Sequence, residues 1–276
     1  MSFIKTPLQR AEAAIAGAEY ILVGAGAGMT TAAGLQYGGP AFESAFTDMI
    51  ERYGFTDLYT SSFHEFESEQ ERWAYWSRHI DYARFIPEAL PLYKRVYEAV
   101  KGKPHFVITT NVDGQFYKAG FDPGKVFCVQ GDYAFIQCAT ACHRKLYPDH
   151  DIVKEMVLKQ SDCKVPSGLV PYCPVCGGPM DINLRKDEFF IQDERWDLQN
   201  QRYMEFLQEA RDRKLVLLEY GVGFNTPTII RLPFERMAAT FPDTTLIRIN
   251  KDHRGLYFSG VKKYIPLSAW LTESQG

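Results

Sequence analysis

Four short apolar runs divide the chain and predict buried strands, at residues 20–23, 106–108, 215–218 and 245–249. Strands that are apolar on both faces are typical of parallel sheets that are covered by helices on both sides. Helical spacing of apolar residues between these runs predicts the covering helices, at about 8–19, 87–101, 195–213 and 227–240. The last of these helices is expected to open with Pro227. The pattern therefore predicts an α/β fold, a Rossmann-like doubly wound parallel sheet.

Two segments interrupt this pattern and predict insertions. Residues 41–85 are rich in aromatic side chains, have a helical character and contain no strong strand pattern. Residues 132–190 hold five of the six cysteines. We therefore predict a helical insertion at 41–85, a small module at 132–190, and a Rossmann-like domain made of the three remaining segments, 1–40, 86–131 and 191–276.

A glycine-rich turn follows the first predicted strand and includes Gly24, Gly26, Gly28 and Gly34. Glycines let a backbone approach a pyrophosphate, and a helix that begins at such a turn offers unpaired N–H groups to an anion. The other interpretation is a tight strand-to-helix turn. The dinucleotide spacing G-x-G-x-x-G is not met, because Met29 or Thr31 falls at the third glycine. A hydride-transferring dehydrogenase therefore fits poorly.

Polar or glycine-rich segments follow the other predicted strands. Thr110, Asn111 and Asp113 come after the second, Gln130-Gly131-Asp132 form a further polar strand end, and Gly221-Val222-Gly223 and Asn250 follow the last two. Ligands of open α/β sheets bind at the carboxyl ends of strands, so we expect these segments to converge on a ligand. Each one alone is equally compatible with an Asx turn or a strand cap.

The cysteines form two close pairs, Cys138-x3-Cys142 and Cys173-x2-Cys176. Two such pairs can supply four thiolates to a closed, tetrahedral, structural zinc site. The alternative is four unliganded thiols in a reducing compartment. Cys128 falls in a predicted strand and is expected to be a small buried hydrophobe. Cys163 has no partner by spacing. His143, beside Cys142, is expected to be solvated, with replacement of one zinc ligand as the alternative.

Composition narrows the classes of protein. Hydrophobic residues make up 46% and charged residues 24% of the 276 residues, which excludes a disordered or coiled-coil chain. The net charge of −3 gives no electrostatic case for binding nucleic acid or a membrane surface. No apolar run approaches the ~20 residues of a membrane span, and the start lacks the pattern of a signal peptide. We therefore expect a protein of the reducing cytoplasm.

In this order and spacing, the motifs resemble those of the sirtuins over nearly the whole chain. The glycine turn resembles their GAG-x-S opening, Thr109–Gly114 their T-Q-N-I-D-G, and the cysteine pairs their zinc module. The resemblance implies that NAD is bound as a co-substrate and loses its nicotinamide, with Asn111 at the nicotinamide ribose, Asp113 at the carboxamide and Asn250 at the adenosine ribose. The NAD-binding residues that it implies are Gly26, Ala27, Gly28, Thr30, Thr31, Gly34, Thr110, Asn111, Asp113, Gln130, Gly221, Val222, Gly223 and Asn250.

Departures from the sirtuin pattern change the expected reaction. The P-D-F-R segment is replaced by Gln36-Tyr37-Gly38-Gly39, and Val222 and Gly223 lack the hydroxyls of the family's GTS motif. Gln130 stands where the family has the histidine that serves as general base in deacetylation. An amide cannot accept that proton, and loss of a general base costs about 10²–10⁴-fold in rate. We therefore predict protein mono-ADP-ribosylation, with Asn111, Gln130 and Asp113 as catalytic residues.

These departures are similar to those of the macrodomain-linked (class M) microbial sirtuins. That resemblance implies a protein acceptor, a lipoylated carrier similar to the glycine-cleavage H protein, and a macrodomain hydrolase as functional partner. Two alternatives stay open: a weak NAD-dependent deacylase or NAD glycohydrolase, and a non-catalytic scaffold that senses NAD or ADP-ribose. The helical insertion is expected to cover the nucleotide, with Phe42, Phe46 or Phe63 either over nicotinamide or in the core.

Overall fold

The computed structural model describes residues 5–270, which contain two sheets and the helices that cover them. The strands are β1 (Tyr20–Ala25), β2 (His105–Thr109), β3 (Val126–Cys128), β4 (Gly131–Cys138), β5 (Tyr147–Pro148), β6 (Met180–Leu184), β7 (Leu215–Tyr220), β8 (Thr244–Ile249) and β9 (Tyr264–Leu267). The α-helices are α1 (Pro7–Gly17), α2 (Ala27–Ala32), α3 (Pro40–Ala45), α4 (Thr47–Tyr53), α5 (Leu58–Ser61), α6 (Glu69–Ile80), α7 (Pro91–Val100), α8 (Gln115–Lys118), α9 (His150–Lys159), α10 (Glu194–Ala210) and α11 (Arg231–Thr240).

The main sheet has six strands in the order β3-β2-β1-β7-β8-β9, and all neighbours are parallel. Its register places Ala25 beside both Thr109 and Tyr220, and Tyr220 beside Ile249. The carboxyl ends of four strands therefore meet along one edge of the sheet. The strand order reverses between β1 and β7, which is the switch point where open α/β sheets bind ligands.

Alternate residues of the same strands enter two different cores. Ile21 and Val23 of β1 pack in the cluster that includes residues of α1 and α7. Leu22 belongs to the opposite cluster, which includes Phe206 of α10 and Phe234 of α11. Helices thus cover both faces of the parallel sheet, which confirms the predicted doubly wound α/β fold.

The two predicted insertions share one hydrophobic core. Trp73 and Tyr75 of α6 pack in the same cluster as Ile136 of β4, Met156 of α9 and Ile182 of β6. The second segment forms an antiparallel sheet, β5-β4-β6, which the sequence analysis did not anticipate. The boundaries assigned to the insertions stay a prediction, although the two segments pack together rather than separately.

Some predicted positions differ in the structure. Pro227 does not open a helix, because the chain forms turns there and α11 begins only at Arg231. The strand β9 was not anticipated. Phe42 and Phe46 are fully buried and stack at 5.0 Å, so they have the core role, whereas the Phe63 side chain is 69% exposed. No helix in residues 5–270 is both long and apolar enough to span a membrane.

Candidate functional site

The glycine turn after β1 packs directly against the glycine turn after β7. The Gly28 N–H donates to the Gly221 carbonyl at 3.0 Å, and a Cβ on Gly26 or Gly28 would lie 2.8 Å from that same oxygen. Gly221 has a φ of 63°, and a Cβ there would lie 2.1 Å from the Met29 nitrogen. Glycine is therefore required at these three positions by the contact between the two turns, whatever ligand they bind.

Free backbone donors stand beside this contact. Within residues 5–270 the N–H groups of Val222 and Gly223 have no hydrogen-bond partner, whereas the Gly221 N–H donates to the Ile249 carbonyl at 2.9 Å. Unpaired N–H groups in a glycine-rich turn can bind phosphate oxygens. These donors are free for an anionic ligand, and their contact with the pyrophosphate of NAD stays a prediction.

Three predicted site residues meet in one buried hydrogen-bond network. The Asn111 side-chain nitrogen lies 3.1 Å from the Gly26 carbonyl, from the Thr30 hydroxyl and from the Tyr93 hydroxyl. Thr30 donates to one Asp113 carboxylate oxygen at 2.7 Å, and the Gln115 N–H donates to the other at 3.0 Å. Tyr93 was missed by sequence reasoning, because a tyrosine in an amphipathic helix carries no signal of such a role.

Asp113 is only 3% exposed, and its surroundings shape its titration. Burial raises the pKa of the Asp113 carboxyl, while its hydrogen bonds from Gln115 and Thr30 and the Arg84 guanidinium act in the opposite direction. Both carboxylate oxygens already accept internal hydrogen bonds. Asp113 therefore braces the network, and its contact with the nicotinamide carboxamide stays a prediction.

Gln130 lies half-buried in the turn between β3 and β4. Its backbone carbonyl accepts from the Arg185 N–H at 3.0 Å, and no hydrogen bond from residues 5–270 engages its side-chain amide. The two residues after it do not end a strand, as the sequence suggested, because Gly131 and Asp132 begin β4. The Gln130 amide is thus free to form hydrogen bonds with a ligand.

No histidine of the chain contacts these predicted site residues. All six histidines of the chain lie within the described residues, and none forms a hydrogen bond or ring contact with Asn111, Asp113 or Gln130. They lie in aromatic clusters, at a strand end, beside the cysteines, at the start of α9 or in a loop: His64, His79, His105, His143, His150 and His253.

Two buried features near Gln130 in the structure were not predicted from the sequence, an ion pair between Arg84 and Asp132 and the carboxyl group of Asp149. The Arg84 Nε donates to the Asp132 carboxylate at 2.9 Å, and a Cβ on Gly114 would lie 2.2 Å from the Arg84 guanidinium carbon. Asp149 is fully buried, and neither of its carboxylate oxygens has a hydrogen-bond partner among residues 5–270. Burial raises the pKa of Asp149 to about 8, and the negative charge of nearby Asp132 makes a smaller contribution to the same shift.

The remaining predicted residues have internal partners or backbone roles. The exposed Thr31 donates to the Ala27 carbonyl at 3.2 Å, and the Thr110 N–H donates to the Ala25 carbonyl at 3.0 Å. Gly34 has a φ of 101° at the end of α2 and open space around it. The ligand contacts proposed for these residues stay predictions.

Asn250 connects the loops after β7 and β8. Its side-chain nitrogen donates to the Val222 carbonyl at 3.0 Å, and its side-chain oxygen accepts from the N–H groups of Asp252 and His253 at 3.2 and 3.0 Å. Both polar ends of the amide thus bind backbone. The predicted contact of Asn250 with the adenosine ribose is not tested by this geometry, which gives the residue a bracing role.

The four paired cysteines form one cluster, with their sulfur atoms all within 4.8 Å of one another. The Cys138–Cys176 and Cys142–Cys173 sulfur distances are 3.6 and 3.7 Å. Tetrahedral zinc with Zn–S bonds of about 2.3 Å requires sulfur atoms about 3.8 Å apart, so the cluster fits the ion. Four thiolates leave no open position, which makes the site structural.

The structure also shows the surroundings of the adjacent histidine and of the two cysteines outside the cluster. The half-buried His143 has its Nδ1 3.0 Å from the Cys142 sulfur and its Nε2 2.9 Å from the Tyr147 hydroxyl, so both ring nitrogens have partners within the protein. Cys128 is buried in β3, as predicted, with its sulfur 3.2 Å from the Tyr117 hydroxyl. Cys163 is also buried, 3.6 Å from an Asp48 oxygen.

No protein-family model matches the chain. The chain is 37% identical over 239 residues to the protein ADP-ribosyltransferase of Staphylococcus aureus (strain Mu50), with 86% of this chain and 76% of that protein covered. It is 30% identical over 236 residues to a probable bifunctional ADP-ribose hydrolase/ADP-ribosyltransferase of Fusarium oxysporum f. sp. cubense, of which it spans only 38% while 80% of this chain is covered.

Solved structures with a similar fold are Sir2 enzymes. One, described under the mechanism and regulation of Sir2 enzymes, has a TM-score of 0.58 at 15% identity and covers 98% of this chain and 94% of its own. A Sir2 homologue in complex with NAD has a TM-score of 0.57 at 16% identity, with 96% and 90% covered. The chain has the Sir2 fold and belongs to the sirtuin-type protein ADP-ribosyltransferases.

Proposed function

We propose that this protein is an NAD-dependent protein mono-ADP-ribosyltransferase. The relative from Staphylococcus aureus, which is 37% identical over 239 residues, is named protein ADP-ribosyltransferase. The observation that carries the proposal is the ribose end of the site, where Gln130 stands free and no histidine of the chain contacts the site residues. Without a proton acceptor, the hydroxyl attack that deacylation requires is not assisted.

The residues present suit the co-substrate. The free N–H groups of Val222 and Gly223 would bind the pyrophosphate, the amides of Asn111 and Gln130 would bind ribose hydroxyls, and Asp113 would hold the carboxamide. In the transfer, the bond between C1′ and nicotinamide breaks, and nicotinamide leaves with the bonding electron pair as a neutral molecule. An acceptor atom supplies the new pair to C1′, and any proton on that atom passes to solvent.

The lack of a base also favours one kind of acceptor. A group that is already ionised at neutral pH, such as a carboxylate, needs no proton removed before it bonds to C1′. A hydroxyl or an ammonium group would need one. We therefore propose a carboxylate on the partner protein as the acceptor.

The identity of the partner rests on the resemblance alone. A lipoylated carrier similar to the glycine-cleavage H protein is the proposed acceptor protein, and a macrodomain hydrolase is the proposed enzyme that reverses the modification. The relative from Fusarium oxysporum, whose name combines ADP-ribose hydrolase and ADP-ribosyltransferase, supports a link between the two activities.

Incubation with NAD labelled in the adenosine moiety and candidate carriers tests the proposal. We expect labelled carrier with the natural protein, loss of label in Asn111→Ala and Gln130→Ala, and unchanged labelling in Gln201→Ala, a control on the exposed side of α10. Nicotinamide release without labelled protein would indicate a glycohydrolase. Removal of an acyl group from lysine would indicate a deacylase, and no nicotinamide release would indicate a sensing scaffold.

A further inference from the structure

A closed triangle of hydrogen-bonding groups lies beneath the predicted ribose site. The Tyr93 hydroxyl is 2.8 Å from the Thr30 hydroxyl and 3.1 Å from the Asn111 side-chain nitrogen, and that nitrogen is 3.1 Å from Thr30. Tyr93 is fully buried and Asn111 is 7% exposed. The two other corners thus restrain the Asn111 amide from inside the protein.

The chemistry at the two ends of this network fixes the direction of its hydrogen bonds. The Gly26 carbonyl can only accept, so the group of Asn111 that faces it must be the NH₂. Thr30 uses its one proton on the Asp113 carboxylate, so the Tyr93 hydroxyl donates to Thr30 and accepts from Asn111. The rotated amide would place its oxygen against the Gly26 oxygen and lose these bonds.

The side-chain oxygen of Asn111 is left for a ligand, because it accepts no hydrogen bond from residues 5–270. We propose that Tyr93 is a positioning residue, whose hydroxyl holds the Asn111 amide so that this oxygen faces the ribose hydroxyls of NAD. This inference rests on the proposed function, since it assigns the network to the same nucleotide site.

Packing alone does not explain the hydroxyl. The Tyr93 ring meets the Phe116 ring edge-on at a centroid distance of 4.9 Å within the core, and phenylalanine would fill that position equally well. The same helix contains Tyr97, which packs on Phe121 at 5.0 Å and whose hydroxyl takes no part in the network. A comparison of variants at the two tyrosines therefore separates the role of the Tyr93 hydroxyl from the role of a packed aromatic ring.

The test compares Tyr93→Phe with the matched control Tyr97→Phe. Calorimetry without a protein acceptor gives the affinity for NAD and for two analogues, which lack either the 2′- or the 3′-hydroxyl of the nicotinamide ribose. We expect Tyr93→Phe to reduce the preference for NAD over one analogue by about three- to tenfold, the value of one hydrogen bond. Tyr97→Phe should leave the preference unchanged, because the Tyr97 hydroxyl lies outside the network.

If Tyr93 had only a structural role, Tyr93→Phe would lower the affinity for NAD and for both analogues by the same factor, and that result would overturn the inference. If Tyr93→Phe does not fold, Thr30→Val is the second variant, since it removes the neighbouring hydroxyl with little change of volume. Failure of the proposed function is distinguishable. In that case the affinity ratio changes as expected, but no labelled carrier forms with the natural protein.

Discussion

The zinc module and the nucleotide site differ in how their functional groups are brought together. The four zinc ligands come from two short segments, and each pair is spaced as a turn requires. The proposed nucleotide site takes Thr30 from α2, Tyr93 from α7 and Asn111 from the end of β2. The first is a local arrangement that spacing alone reveals, and the second exists only when three parts of the chain have packed.

The two regions also differ in what their polar groups do without a ligand. In the nucleotide site, internal hydrogen bonds satisfy Thr30 and Asp113, so the site is preformed. In the cysteine cluster, sulfur atoms lie 3.6 and 3.7 Å apart with only weak hydrogen bonds available between them. The comparison predicts that zinc stabilises its module, whereas NAD contributes little to the fold.

The largest expected effect is on stability, from Cys173→Ser or a strong chelator. Loss of a closed thiolate site should lower Tm on the order of 10 °C, because metal binding contributes directly to the free energy of folding. Calorimetry and metal analysis should find one zinc ion per natural chain and none in the variant. The control variant Cys128→Ser changes a cysteine outside the cluster, so this protein should still contain one zinc ion per chain. Zinc retention in Cys173→Ser would contradict the assignment.

The next effect is on activity, from Asn111→Ala. Loss of a preorganised hydrogen-bonding group should lower the rate of ADP-ribosyl transfer on the order of 10²-fold or more. Tm should change far less than with zinc removal, since the change touches one residue of a preformed network. Labelled transfer and thermal denaturation, measured on the same preparation, check both. Full activity would remove Asn111 from the site.

A third effect concerns the pH dependence of stability, through the buried Asp149. Asp149 has a pKa of about 8 in the folded protein and an ordinary pKa of 3.8. Between those values the folded protein holds a proton that the unfolded chain does not, so the free energy of unfolding falls as pH rises from about 4 to 8. Asp149→Asn cannot ionise and should therefore unfold at a higher temperature than the natural protein at pH 9.

The two proteins should differ little at pH 4.5, where Asp149 is protonated when folded. Asp132 and the Arg84 guanidinium are the charges that face Asp149, and both are unchanged in the variant. The exposed neighbour Asp151 offers a control, because Asp151→Asn should show no such dependence. A stability gain that is equal at both pH values would contradict a buried, protonated Asp149.

The smallest effect concerns Gly34, which resemblance places in the NAD site. Its φ of 101° and the open space around it predict a cost of about 1 kcal/mol for Gly34→Ala, from backbone strain alone. Gly102→Ala, with open space and no positive φ, should cost less than about 0.5 kcal/mol. Denaturant unfolding measures both. Weaker NAD binding in Gly34→Ala would indicate a direct ligand contact.

The class of fold could be predicted because it depends on local pattern. The apolar runs of β1 and β7, interrupted in β7 by Glu219, indicate strands that are buried on both faces, which is typical of a covered parallel sheet. The antiparallel sheet of β4, β5 and β6 was not predicted, since these strands are short, one is only two residues long, and their pairing is between distant segments. Pro227 misled the helix prediction, because proline favours turns as well as first helical positions.

The sequence by itself determined the parallel sheet and the two pairs of zinc ligands, since each depends on residue type and short spacing. That Gln130 stands in place of an imidazole follows from the resemblance to the sirtuins. Only the tertiary structure decided that Tyr93 joins Thr30 and Asn111, that Asp149 is buried beside Asp132, and that the glycine turns of β1 and β7 touch. The physical reason is range: these contacts join residues that are far apart in the chain. Their energies come from burial and hydrogen bonds that exist only after packing.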